Sequence, residues 1–75
     1  AAVSGNYLEE GKAALASFLE HRDEISPNFL AWAYYRLGTI NEHLNELELA
    51  RVSYQQALDA DASLEVAKAA LANLD

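Results

Sequence analysis

The segment AWAYYRLGTI, residues 31–40, decides how this chain folds. On a helix turning about 100° per residue, Tyr34, Leu37 and Gly38 fall on one side with Leu30 and Asn41. Trp32, Tyr35, Arg36, Thr39 and His43 form a stripe on the other side. A glycine inside a helix costs about 1 kcal/mol relative to alanine. Something must offset that cost at Gly38.

Working outward, Ser26-Pro27 opens this helix as a capping residue followed by proline at the first helical position. Asn45 closes it, because asparagine tolerates the positive φ that ends helices. Similar punctuation predicts four helices over about 6–22, 27–44, 46–60 and 63–74. The first lies behind Ser4 as N-cap and stripes Tyr7, Gly11, Ala14, Leu15 and Phe18 on one face, flanked by Leu8 and Leu19. The third presents Leu47, Ala50, Tyr54, Ala57 and Leu58. The fourth, capped by Ser63, presents Leu64, Ala67, Ala70, Leu71 and Leu74, with Glu65, Lys68, Ala69 and Ala72 outward. The connections are short, which predicts antiparallel neighbours. One proline and three glycines in 75 residues leave little turn chemistry for a sheet. The expectation is a single all-α domain over residues 1–75.

The chain also repeats itself. Ala14-x3-Phe18 recurs 36 residues later as Ala50-x3-Tyr54, and Leu37-Gly38 is matched 34 residues later by Leu71-Ala72. Odd helices match odd and even match even, as duplication of a two-helix unit requires. Tyr34-x2-Leu37-Gly38 followed by Ala50-x3-Tyr54-x2-Ala57-Leu58 resembles the tetratricopeptide repeat family, with one full repeat over about 31–64 and a flanking helix on each side. The resemblance implies antiparallel helix-turn-helix repeats, four helices in an α-solenoid stack. It also implies the reason for Gly38: Ala50 and Ala57 would face it so that the second helix approaches the third closely, with Tyr34 and Tyr54 filling the flanks. Departures are Asn41 where the pattern expects an aromatic, Asn45 for the small turn residue, Ala62 for the closing proline, and two extra residues in the Asp23–Ser26 connection. Asn41 falls within the buried stripe, so its amide should bond a neighbouring backbone group or Tyr34, since an unpaired buried amide costs about 1–3 kcal/mol.

Twelve Asp and Glu against five Lys and Arg give a net charge of −7. That balance argues against nucleic acid, which demands a basic patch, and against anionic membrane surfaces. No run reaches the ~18–20 apolar residues of a membrane span. The opening AAVSGNYLEEG lacks the pattern of a signal peptide, which favours the cytoplasm. With no cysteine there is neither a disulfide framework nor a thiolate metal site.

Two copies of E-H-x-x-E, Glu20-His21-x2-Glu24 and Glu42-His43-x2-Glu46, offer His–Glu pairs at metal-ligand spacing. They close successive antiparallel helices, so roughly 24 Å of helix separates them, and each straddles a helix end. The plainer reading is histidine beside a C-terminal helix dipole, with no metal and no cofactor. Ser4, Ser17, Ser26, Ser53 and Ser63 lack a nucleophile elbow or a suggestive His–Asp pair. The chain reads as a non-enzyme.

What remains is the stripe of Trp32, Tyr35, Arg36, Thr39 and His43 on the second helix. In the family it resembles, the matching stripe lines a groove that binds peptides or proteins. Aromatics beside an arginine have the composition of an interface hot spot. Tyr35 and Thr39 stand where carboxylate-clamp members carry lysine and asparagine, so capture of a C-terminal carboxylate is not expected. The expected function is a protein-protein interaction module binding a peptide or protein. Its alternatives are an accessory or oligomerisation segment of a larger protein, such as an enzyme, and a homodimerising domain.

Overall fold

A computed structural model describes residues 3–74, with side chains from Leu8 onward. Four α-helices follow one another: α1 (Val3–Leu19), α2 (Pro27–His43), α3 (Leu47–Ala60) and α4 (Glu65–Leu74). A 3-10 turn, Arg22–Glu24, lies between α1 and α2. The first helix thus runs three residues earlier at each end than its sequence pattern suggests, and Ser4 lies inside it rather than capping it. The Ser4 and Tyr7 side chains lie outside the described ones. The Arg22 guanidinium bonds the Leu19 carbonyl at 3.1 Å, satisfying one of the open acceptors at the end of α1.

Each helix packs on its neighbours in chain order, most extensively α2 on α3. The contacts run antiparallel: Asn41 and Gly38 late in α2 meet Ser53 and Tyr54 in α3, while Leu30 and Tyr34 lie beside Gln56, Asp59 and Ala60. The molecule measures 39 × 31 × 15 Å, so nothing is far from solvent in the short direction. The core is accordingly built of small side chains, with Ala31, Ala33, Ala50, Ala57 and Ala67 buried alongside Leu19 and Leu64. Tyr54 is the one large side chain fully buried among the described residues.

Gly38 owes its place to Tyr54. A Cβ built on it would lie 2.5 Å from Tyr54 Cε1 and 2.6 Å from Cδ1. The ring thus occupies the volume that any other residue at 38 would need. Ala50 and Ala57, expected to face the glycine, are fully buried, but Tyr54 rather than either alanine makes the closest approach.

The turn from α2 to α3 is a Schellman motif. Asn45 has φ 65°, its amide donates to the Glu42 carbonyl, and the Glu46 amide donates to the Asn41 carbonyl at 2.8 Å. Asn45→Ala should therefore cost up to about 1 kcal/mol, because alanine keeps the Cβ but loses the short polar side chain that makes left-handed backbone tolerable to asparagine, while Asn45→Gly should be neutral or stabilising. Urea midpoints at unchanged slope would measure both.

Two polar details depart from expectation. The Asn41 amide reaches neither the backbone nor Tyr34; its Nδ2 lies 3.4 Å from Ser53 Oγ, and Oδ1 is buried without a protein partner. Ser63 does not cap α4, which begins at Glu65. Its hydroxyl and amide both turn back to donate to Asp61 Oδ1, at 2.6 and 3.0 Å. These two bonds hold the Asp61 carboxyl below the usual carboxylate range. Nor does the Ser26 hydroxyl make a capping bond, although Ser26 stands at the N-cap of α2 before Pro27.

Candidate functional site

The expected stripe on α2 divides between two neighbours. Tyr35 turns toward α4, where with Thr39, Glu42 and Tyr54 it borders a shallow groove completed by Val66, Ala69, Ala70 and Asn73; Thr39 also reaches the α1 side, beside Gly11 and Ile40. Trp32 and Arg36 turn toward α1. There they join Leu15, Phe18, Ile25, Phe29 and Ala33 around an apolar recess between the end of α1, the 3-10 turn and the first half of α2. His43, in the last turn of α2, is exposed and lines neither depression.

Aromatic contacts connect the two sides. The Trp32 ring meets Tyr35 edge-on, centroids 5.6 Å apart and planes perpendicular. Tyr35 in turn lies 5.7 Å from Tyr54. This geometry suits aromatic quadrupoles, and it ties a surface tryptophan to the most buried ring of the core. Tyr54 ends the series by donating its hydroxyl to Glu42 Oε1 at 2.5 Å. Burial first, and then the bond to Glu42, raise the Tyr54 pKa above its ordinary value.

The recess was only half legible in the sequence. Phe18 belongs to the expected packing stripe of α1, yet it is 46% exposed, as is Trp32. Leu19 is the buried residue near that end of α1. Phe29, 68% exposed, was missed. Its signal was available: 29, 32 and 36 follow the three- and four-residue spacing of one helical face.

The E-H-x-x-E copies do not act as units. Glu42 accepts from Tyr54 and Glu46 from Lys12 Nζ, the latter at 2.7 Å, so the second copy's carboxylates serve α3 and α1. In the first copy His21 Nδ1 stands 4.0 Å from Glu24. Among the described residues no three His, Asp or Glu side chains converge, and no helix is long and apolar enough to cross a membrane. What the surface offers chemically is apolar contact bordered by charge.

No protein-family model matches the chain, and neither the curated proteins nor the solved structures compared with it give a match.

Proposed function

We propose that this chain is a protein-interaction module, a stack of helix-turn-helix units of the tetratricopeptide kind that binds a peptide or protein partner along α2. The antiparallel pairing of α2 and α3 over Gly38 supports the repeat reading, as does the packing of helices in chain order. The observation that carries the functional reading is the cluster of three aromatics, Phe18, Phe29 and Trp32, left 46–68% exposed around one recess. Scattered exposed apolar residues are ordinary, but a contiguous patch ringed by polar groups marks an interaction surface. Trp32 is also held in position by Tyr35, and an anchor immobilised beforehand loses less entropy on binding.

The test is site-specific photocrosslinking in cells. A benzophenone side chain replacing Trp32 should yield discrete crosslinked species, while the same group replacing Gln55, exposed on α3, should yield few. Equal labelling from both positions, or none from either in folded protein, would rule the reading out.

A further inference from the structure

We infer that the α1–α2 recess takes a basic amphipathic peptide, seating a large apolar side chain among Phe18, Phe29 and Trp32 and turning lysine or arginine toward Glu24. This rests on the interaction-module reading and specifies its partner. The walls supply the apolar part, since Leu15, Ile25 and Ala33 complete a surface with no charged side chain between its two ends. Glu24 borders the recess on the side of the 3-10 turn and Arg36 borders it on α2.

The charge of the partner follows from that border. The connection 20–26 carries three carboxylates, Glu20, Asp23 and Glu24, against one arginine. Arg22 is folded back onto the Leu19 carbonyl. Glu20 and Asp23 are exposed, and among the described residues neither has an ion-pair partner. Among the described residues the one ion-pair contact of the Glu24 carboxylate is with His21, at 4.0 Å. The net charge of −7 adds a field of the same sign. A second copy would bring the same −7 and the same acidic connection, so charge complementarity selects a basic partner over self-association. Arg36 gives the site direction, because cations are favoured near Glu24 and disfavoured at the other border.

Three synthetic helical peptides with identical leucine and phenylalanine positions, and with lysine, glutamine or glutamate at the polar positions, provide the test. Trp32 is the chain's single tryptophan, so its emission reports binding at the recess when the peptides contain none. The lysine peptide should bind about tenfold or more tightly than the glutamine peptide in low salt, the ratio shrinking toward one at about 0.5 M salt. The glutamate peptide should not saturate. Phe29→Ser, at a site exposed enough to leave folding unchanged, should abolish the signal. Asp23→Asn with Glu24→Gln should remove most of the lysine peptide's advantage over the glutamine one, Glu20 and the remaining negative net charge holding the rest. Equal affinity for all three peptides would overturn the basic-partner inference while leaving the interaction module standing. Binding of none, by emission or calorimetry, would also overturn it, the module then being judged by the crosslinking alone. A dimer by light scattering that Phe29→Ser dissociates would overturn it by showing that a second copy fills the recess.

Discussion

Replacing Gly38 with alanine is expected to destabilise the protein by about 1–3 kcal/mol, the range for overpacking a well-filled core. Helix propensity alone predicts the opposite sign, since alanine is the better helix former by about 1 kcal/mol. Packing wins because the added methyl would stand 2.5 Å from a ring atom of Tyr54, closer than any carbon–carbon contact tolerates. The ring has nowhere to go. It is fully buried, with Tyr35 on one side and its hydroxyl on Glu42. Gly38→Leu should cost more still. The mechanism has a sign test: in a Tyr54→Ala background the obstacle is gone, and Gly38→Ala should then become neutral or stabilising. Urea unfolding of the four proteins of this double-mutant cycle at low temperature, with a stabilising osmolyte so that the Tyr54→Ala pair starts folded, would measure the coupling. An equal cost of Gly38→Ala in both backgrounds would exclude the ring as its cause.

The same pair shows why parts of the fold could be read from sequence and others could not. Gly38 and Tyr54 belong to a pattern in which one residue's absence of a side chain answers another's bulk, and such a pattern survives in one dimension because helical spacing is regular. Asn45 was legible for a local reason, its tolerance of the left-handed φ it adopts at 65°. The rotation of α1 was not legible. Its face is written largely in alanine, with Ala13, Ala14 and Ala16 all exposed, and alanine suits either side of a helix. Leu15 and Leu19 rather than Ala14 and Phe18 therefore turn inward, and Phe18 joins the recess. In the sequence Ser53 figures only as a nucleophile to be weighed, yet it is 4% exposed and stands opposite the Asn41 amide across the α2–α3 contact. The candidate site suffered most, since a stripe on one helix does not say which neighbour each residue will face. Tyr35 went to α4, Trp32 and Arg36 to α1, and Thr39 to both, a division made by tertiary packing.

Tyr54→Ala is the substitution expected to cost most, about 3–5 kcal/mol, by analogy with other buried aromatic-to-alanine changes. At about 0.05–0.15 kcal/mol per residue a chain of this length holds roughly 4–11 kcal/mol in all, so this variant should be near or past its unfolding midpoint at 37 °C. Tyr54→Phe separates the ring from the hydroxyl. It keeps the packing over Gly38 and removes only the bond to Glu42, whose exposed carboxylate regains water, so the loss should be nearer 1 kcal/mol. The two proteins should also differ in alkali. The Tyr54 pKa is raised in the fold above its ordinary value of 10.0, so the unfolded chain gives up this proton first. Its contribution is fully present below about pH 10 and falls as the pH climbs from there toward the folded pKa. Phenylalanine has no proton to lose. The stability gap between wild type and Tyr54→Phe at neutral pH should therefore narrow above pH 10, and circular dichroism melts from pH 7 to 11 would follow it. A gap constant across that range would mean that the hydroxyl is not held neutral by burial and Glu42.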